Sequence, residues 1–218
     1  MDLLDVFGTF VFSVAGAFRA VKYELNLLGV LALSVVTGVG GGIARDTVLG
    51  LTPPAAFQNE VYLLVCILGG LIVFVAAPKI AKRWDWVLAA DALGVGVFAA
   101  IGAAKAADRG LGWVGVCMMG ALTATGGGVM RDVLVRRIPD VLKEDFYATA
   151  ALVGGVALVV ARKTGLGVEI QLGVAIAVAT GLRILAMVYR FGAPKVKSLP
   201  ASPTRLTDER KRGGPNPG

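Results

Sequence analysis

The sequence predicts an all-α, polytopic membrane protein with seven transmembrane helices, arranged as two inverted three-helix repeats plus a seventh helix. Three observations predict this fold: an apolar composition, seven apolar runs of spanning length, and an internal repeat. Of the 218 residues, 56% are hydrophobic and only 17% are charged, and the mean hydropathy is +0.74. Soluble domains carry about 25% charged residues, and a soluble chain of this length could not bury so much apolar surface. Lipid is therefore the expected solvent.

Seven apolar runs are long enough to cross a bilayer as helices, which takes about 20 residues. The predicted spans are 5–21, 25–44, 61–77, 87–104, 111–130, 146–161 and 168–189, the last interrupted by Gln171 and Arg183. We divide the chain into a first repeat at 1–80, a second repeat at 87–165, a seventh span at 166–191 and a tail at 192–218. The tail is basic, polar and rich in proline, and we predict that it is disordered and cytoplasmic.

The net charge of +7 comes from 22 basic and 15 acidic residues. The basic residues lie between the apolar runs and in the tail, which indicates topology signals and contacts with membrane lipids rather than nucleic-acid binding. With seven spans, 5 basic residues fall on the N-terminal side of the membrane and 17 on the C-terminal side. The positive-inside rule then predicts a multi-pass cell-membrane protein with its N-terminus outside and its C-terminus in the cytoplasm.

The chain offers little for enzyme chemistry. It has no histidine, which excludes a catalytic triad or an imidazole metal site, and its two cysteines, Cys66 and Cys117, each lie inside an apolar run without metal-type spacing. No pattern pairs a nucleophile with a base. We therefore expect no enzyme activity, no metal and no cofactor.

An internal repeat with an offset of 86 residues is the most informative pattern. Residues 5–17 match residues 91–103, and the motif Gly-Gly-Gly-x-x-Arg-Asp occurs at 40–46 and again at 126–132. Because a repeat of three spans is odd, the second copy must enter the membrane from the opposite face. Inverted repeats of this kind place a pathway or binding site at their interface.

Each glycine run lies near the end of a predicted membrane helix, where one glycine weakens a helix by about 1 kcal/mol relative to alanine. The runs are Gly40, Gly41 and Gly42 in the first copy and Gly126, Gly127 and Gly128 in the second. One interpretation is that both helices kink or unwind here and line a path. The other is close helix packing through small residues.

A charged pair follows each glycine run, Arg45-Asp46 in the first copy and Arg131-Asp132 in the second. Charges inside a membrane are costly and face a partner or a cavity. Because adjacent helical residues do not face each other, we hypothesise that the pairs cross between repeats, Arg45 with Asp132 and Asp46 with Arg131. The alternative is that the four residues cap helix ends at the membrane interface.

Two further pairs of equivalent residues are charged. Asp5 and Asp91 begin the first and fourth spans, where they either complement the helix dipole or attract cations to the two mouths of a path. Arg19 and Lys105 are expected to snorkel to lipid headgroups, with a lipid or gating contact as the alternative.

Hydroxyl side chains precede both glycine runs within two helical turns. They are Ser34, Thr37, Thr123 and Thr125. These hydroxyls either line a path or donate to the backbone of their own helix.

Two copies of Gly-Gly-Gly-x-x-Arg-Asp in two three-helix halves, followed by a seventh helix, resemble the prokaryotic trimeric intracellular cation (TRIC) channels. The resemblance covers about residues 3–190. It implies a homotrimer with one pore in each protomer, between the repeats, lined by second and fifth helices that kink at their glycines. It also implies passive permeation of monovalent cations, mainly K⁺ with Na⁺ as a further candidate, and bound phospholipid.

The resemblance assigns the six motif glycines to the pore and makes the two Arg-Asp pairs its charged members. The animal members carry a basic Lys-Glu-Val type motif where this chain has glycines, so their phosphoinositide binding is not transferred. The bacterial family has also been named for glycine transport, and inverted repeats with broken helices are the usual transporter architecture. A secondary transporter of a small solute such as glycine is therefore the alternative function.

Overall fold

The structure is a computed structural model that describes residues 2–80, 84–143 and 146–189, and this part of the chain is helical without β-strands. The predicted tail at 192–218 lies outside the described residues. The helices are α1 Asp2–Lys22, α2 Leu27–Val48, α3 Ala55–Gln58, α4 Val61–Ile80, α5 Trp84–Asp108, α6 Trp113–Leu134, α7 Asp140–Lys143, α8 Tyr147–Lys163 and α9 Val168–Tyr189. Seven long helices coincide with the predicted spans, and the one-turn helices α3 and α7 were not predicted.

Five of the long helices are long and apolar enough to cross a membrane. These stretches are Leu3–Lys22, Leu27–Val48, Leu88–Asp108, Trp113–Leu134 and Val168–Tyr189. The third predicted span contains a shorter apolar helix at Val61–Ala76, and the sixth is the 17-residue α8, whose last turn carries Arg162 and Lys163. The described chain is thus a multi-pass membrane protein with five clear spans and two shorter helices between them.

Polar caps and glycines define where several helices begin and end. The Asn26 side chain accepts a hydrogen bond of 2.9 Å from the Gly29 amide and so caps the start of α2. Gly110 and Gly165 follow α5 and α8 with φ of +77° and +70°. This left-handed backbone conformation, which glycine adopts readily, ends a helix by satisfying its last carbonyl groups.

The centre of the molecule consists of two related helix pairs, α1 with α5 and α2 with α6. Phe12 of α1 and Phe98 of α5, which are equivalent in the 86-residue repeat, pack with ring centroids 5.0 Å apart. Both side chains are buried. A Cβ added at Gly94 would overlap the Phe12 ring, so the glycine allows this close approach. Equivalent residues therefore meet where the two halves join.

The last long helix, α9, makes the two halves different. It packs against α5 and α8 of the second half, where Gly154 faces Ala179 and Gly96 faces Thr180. In the first half, α4 packs directly against α1. The second half therefore has a helix neighbour that the first half lacks among the described residues.

Candidate functional site

The two glycine runs meet where α2 crosses α6. A Cβ added at Gly41 would overlap the carbonyl oxygen of Thr123, and one added at Gly127 would overlap the carbonyl oxygen of Thr37. A Cβ added at Gly126 would lie 3.3 Å from the Cα of Gly41. The two backbones are therefore in contact, and the contact repeats with the same 86-residue offset as the sequence.

Both helices continue through their glycines without interruption. Residues 27–48 and 113–134 are α-helical throughout, so the helices do not unwind at the glycines, while a kink there and a path-lining role stay predictions. Close packing explains the small residues, because each glycine admits the backbone of the opposite helix. Gly42 and Gly128 differ from the others, since their nearest neighbours are the side chains of Arg45 and Tyr147.

The hydroxyl groups near the crossing donate to backbone carbonyls. Thr37 donates to Leu33 O at 2.6 Å and Thr123 to Met119 O at 2.7 Å, which confirms the alternative of bonding within the helix. Thr125 donates in the same way to Ala121 O at 2.8 Å.

Ser34 differs from the threonines because it bonds to other helices. Its hydroxyl lies 2.7 Å from Cys66 O and 3.1 Å from Ser13 O, and so links α2 to α4 and α1. Without a hydrophobic driving force between membrane helices, such hydrogen bonds help to hold them together.

One charged cluster, the Asp5 cluster, lies at the C-terminal end of α2 and consists of Asp5, Arg45, Asp46 and Lys105. The Arg45 guanidinium donates to Asp46 Oδ1 at 2.7 Å and to Asp5 Oδ2 at 3.3 Å. The Lys105 ammonium donates to the same Asp5 oxygen at 3.1 Å. Asp5, Arg45 and Asp46 are buried. Two cations thus balance two carboxylates, which makes burial of Asp5, Arg45 and Asp46 tolerable.

The second cluster, the Asp91 cluster, lies at the C-terminal end of α6. It consists of Arg19, Asp91, Arg131, Asp132, Asp140 and Tyr147. The Arg131 guanidinium donates to Asp132 Oδ1 at 2.9 Å and lies 3.6 Å from both Asp91 and Asp140. Arg19 pairs with Asp140, and the Tyr147 hydroxyl lies 3.4 Å from Asp91 Oδ1.

The hypothesis that Arg45 pairs with Asp132 and Asp46 with Arg131 is wrong. Each arginine pairs with the aspartate next to it in sequence, because its long side chain can turn back along the helix. Gly40 lies near Met130 and Gly126 near Ala44. In this antiparallel register the two Arg-Asp pairs lie on opposite sides of the crossing, too far apart to meet.

Ion pairs between the halves are made instead by the residues expected to snorkel. Lys105 of α5 pairs with Asp5 of α1, and Arg19 of α1 pairs with Asp140 of the second half. Arg19 and Lys105 thus make ion pairs within the protein, and their contact with lipid headgroups stays a prediction. Asp5 and Asp91 are counter-ions of arginines in the structure, and their suggested attraction of cations stays a prediction.

The aspartates of the repeated motif also position the two one-turn helices. Asp46 Oδ2 accepts from the Ala55 amide at the start of α3, and Asp132 Oδ2 accepts from the Asp140 amide at the start of α7, each at 3.0 Å. The two aspartates thus bind the first turns of α3 and α7, and a position of the motif at the membrane interface stays a prediction. Sequence reasoning missed Asp140, although the repeated Pro53 and Pro139 marked both places.

Space inside the site is small. A cavity of about 10 Å³ is lined by Asp5, Thr9, Gly42, Arg45 and Tyr62, among others. This is about the size of one water molecule. Among the described residues, no group of three or more Cys, Asp or Glu side chains is arranged to hold a metal ion.

Comparison with known proteins agrees with the doubled geometry. The sequence model of the glycine transporter family matches the chain twice, at residues 2–78 and 88–163. A UPF0126 membrane protein of Streptomyces coelicolor is 40% identical over 193 residues, which is 88% of each chain. A solved structure that addresses conductance through TRIC cation channels is 36% identical, with a TM-score of 0.85 over 92% of this chain and 99% of that one. The chain belongs to the glycine transporter family, and this family includes the prokaryotic TRIC channels.

A second TRIC structure gives the same result. The TRIC orthologue from Rhodobacter sphaeroides is 39% identical, with a TM-score of 0.82 over 87% of this chain and 97% of that one. The similarity to TRIC channels therefore extends over nearly the whole fold.

Proposed function

We propose that this TRIC family member is a channel for monovalent cations that prefers K⁺, with one pore in each protomer of a homotrimer. The pore runs between the two halves where α2 crosses α6. The similarity to solved TRIC cation channels at 36% and 39% identity supports a cation channel. The observation that supports this pore position is the paired backbone contact at the crossing. One charged cluster lies on each side of that contact.

The crossing fits a gate because backbone closes its centre, with the Met130 side chain beside Gly40. Gly41 and Gly127 themselves contribute no side chain to the contact between α2 and α6. The carbonyl oxygens of Thr37 and Thr123 lie against the opposite helix. Carbonyl oxygens are ligands for dehydrated cations in selective pores, so a small separation of the helices would present them to a passing ion.

The membrane arrangement that fits this proposal has seven spans, with the second half inverted relative to the first. The double match of the family model and the equivalent contacts at the crossing support it. The shorter helices α4 and α8 would then span with the help of local thinning of the bilayer. We propose that the pore is used by K⁺, with Na⁺ as a weaker permeant ion, and that phospholipid binds to the outer surface.

Single-channel recording in planar bilayers with a K⁺ gradient tests the proposal. Unitary current steps that reverse near the K⁺ equilibrium potential are expected. Bilayers without current in several lipid compositions would contradict the channel function.

Secondary transport of glycine is the second candidate, favoured by the name of the matching family model. Uptake of labelled glycine into proteoliposomes distinguishes the two functions, because a transporter saturates as substrate rises whereas a channel needs no bound substrate. Saturable uptake without unitary currents would select the transporter.

A further inference from the structure

An apolar groove, the α1–α9 groove, opens between the starts of these two helices. It encloses about 610 Å³ and is lined by Leu3, Leu4 and Phe7 of α1 and by Leu172 and Ile176 of α9, among others. Both helices pack against α5, and the groove is the space between them. Its volume lies within the range of about 300–1,000 Å³ that is typical of sites for small organic ligands. The groove is therefore large enough to take part of a flexible apolar chain.

Both walls of the groove belong to apolar spans. The stretches Leu3–Lys22 and Val168–Tyr189 are each apolar enough to cross a membrane, and α9 is the least buried of the five clear spans. On the α1 side, Leu3 and Phe7 are 86% and 46% exposed. Because water is absent from the hydrocarbon core of a bilayer, an apolar groove there is filled by hydrocarbon or by another protein. A phospholipid acyl chain is the hydrocarbon at hand.

Glu169 places a carboxylate in this groove. It shares one face of α9 with Leu172, Gly173 and Ile176, because residues three, four and seven positions apart align along a helix. It is the second residue of α9, so it lies at the end of the span, where the head groups of a bilayer begin. Within the described part of the chain, Glu169 is exposed and has no ion-pair partner. Its charge is thus open to a cation from outside the chain.

A second groove, the α5–α9 groove, lies at the opposite end of α9. It encloses about 350 Å³ and is lined by Leu88 and Ala89 of α5 and by Ile184, Met187 and Val188 of α9. Ala89 is equivalent to Leu3 in the 86-residue repeat, so α9 forms a groove with the same part of each repeat. Among the described residues, no charged side chain lines this second groove. The carboxylate therefore distinguishes the two grooves.

We propose that the α1–α9 groove binds a phospholipid whose head group carries a primary ammonium, with an acyl chain in the groove and the ammonium group at Glu169. The inference rests on the phospholipid binding of the proposed function and gives it a place and a head group. A primary ammonium donates hydrogen bonds to a carboxylate, and charge strengthens them. A quaternary choline head group has no N–H to donate, and Glu169 repels an anionic head group.

A second copy of the chain fits the groove less well than a lipid does. It would cover Glu169 together with the apolar walls, and removing a carboxylate from water without a counter-ion is strongly unfavourable. A lipid head group leaves the carboxylate hydrated. In addition, a Cβ added at Gly173 would find no atom within 4 Å, so this groove residue marks open space within the chain.

Native mass spectrometry of the full chain in detergent tests the head-group preference. The probes are dioleoyl phosphatidylethanolamine and dioleoyl phosphatidylcholine, which differ only at the amine. The dissociation constant of the wild type should be about two- to fivefold lower for the ethanolamine lipid, which is the value of an exposed ion pair. Glu169→Gln should remove this difference. Glu60→Gln is the matched control, because Glu60 is exposed just before α4 and lies outside both grooves.

A second pair of variants tests the place of the acyl chain. Gly173→Leu puts a side chain into the α1–α9 groove and should weaken the binding of both lipids, by about fourfold for each methylene group displaced. Gly181→Leu is the matched control in the same helix. A Cβ added at Gly181 also finds no atom within 4 Å, but Gly181 lines neither groove, so both lipids should bind as in the wild type.

Several outcomes would overturn the proposal. Equal affinity of the wild type for the two lipids, or a preference that survives Glu169→Gln or is lost equally in Glu60→Gln, would reject the ammonium contact. Unchanged affinities in Gly173→Leu, or an equal loss in Gly181→Leu, would reject the groove as the place of the acyl chain. Fewer trimers in Gly173→Leu at unchanged lipid affinity would show that a second copy fills it. Should Gly173→Leu fail to fold, Glu169→Gln carries the test.

The mass measurement also separates this inference from the proposed function. Wild-type protein that retains no phospholipid of either kind would reject phospholipid binding as a whole and the groove with it. Binding without a head-group preference would reject only the inference. A protein that carries no current but shows the expected pattern of affinities would reject the channel and leave the lipid site in place.

Discussion

At the scale of single residues, neighbouring glycines of one motif have different surroundings. Gly41 faces the backbone of α6, which cannot yield to a larger side chain, whereas Gly42 faces the tip of Arg45 at 3.6 Å for an added Cβ. Three glycines that look alike in sequence therefore differ in what a methyl group would meet. The charged residues also differ from one another, because the free-energy cost of a charge depends on its burial and on the counter-ion within reach.

Replacing Gly41 with alanine should destabilise the protein by about 1–3 kcal/mol, because the methyl group overlaps the Thr123 carbonyl and forces two helices apart. Gly42→Ala is the control and should be neutral or slightly stabilising, since alanine favours helix. A thiol-reactive dye can follow unfolding in detergent through the buried free cysteines Cys66 and Cys117. Equal unfolding temperatures for the two variants would refute the backbone contact.

Replacing Asp5 with alanine should cost about 3–5 kcal/mol, because it leaves the buried Arg45 without one of its two carboxylates. Asp108→Ala is the matched control: its ion pair with Arg162 is 2.8 Å long, but the two side chains are 54% and 40% exposed. That change should cost about 0–1 kcal/mol. The same dye-based unfolding curves measure both, and a similar loss in the two variants would count against the buried cluster.

The α2–α6 crossing shows at the scale of elements what the sequence could predict and what it could not. The repeat predicted that two equivalent helices meet, and the family of the fold followed from its motif. Whether the glycines break the helices or admit a backbone could not be predicted, because both uses require small residues. The partners of Arg45 and Arg131 depend on the antiparallel register and on side-chain reach, which a one-dimensional pattern does not contain.

A disulfide across the crossing should stop the current. A Cβ added at Gly126 would lie 3.9 Å from the Cβ of Ala44, within the 3.5–4.5 Å that a disulfide needs. We expect the Ala44→Cys, Gly126→Cys double variant to lose conductance on oxidation and to regain it on reduction. Each single variant, oxidised in parallel, is the control. Undiminished current through an oxidised protein whose cross-link is verified by mass would place the pore elsewhere.

The whole molecule combines a doubled unit with one unpaired helix, α9. The sequence predicted this division because the repeat ends before the seventh apolar run. It did not predict that Arg183, noted only as an interruption of that run, would lie over the Tyr147 ring. The contact joins residues from different parts of the chain and has no equivalent in the repeat, so no pattern could reveal it.

The oligomeric state is a prediction at the scale of the whole molecule. We expect the purified protein to form trimers, with a mass in native mass spectrometry three times the 22.5 kDa of one chain. The exposed apolar residues of α4, including Leu64, Leu68 and Val75, are available to lipid or to a second copy. A single chain as the stable species in several mild detergents would contradict the proposed trimer.

Orientation is the last prediction. We expect a green fluorescent protein fused after the last residue to fluoresce in the cytoplasm, since 17 basic residues fall on that side. Alkaline phosphatase, which requires the oxidising exterior, should be active when fused after Lys163, the last residue of α8. The reverse pattern would invert the proposed topology.

Balanced charge has a consequence for how membrane voltage could act on the protein. Moving one elementary charge across 100 mV yields about 2.3 kcal/mol. Among the described residues, the Asp5 cluster carries two positive and two negative charges, so this cluster transfers no net charge when it shifts as a rigid unit. The electric field moves net charge in this cluster when a pair separates, for example Lys105 from Asp5. A steep rise of conductance with voltage would thus report breaking of ion pairs, and a flat one their survival through every opening.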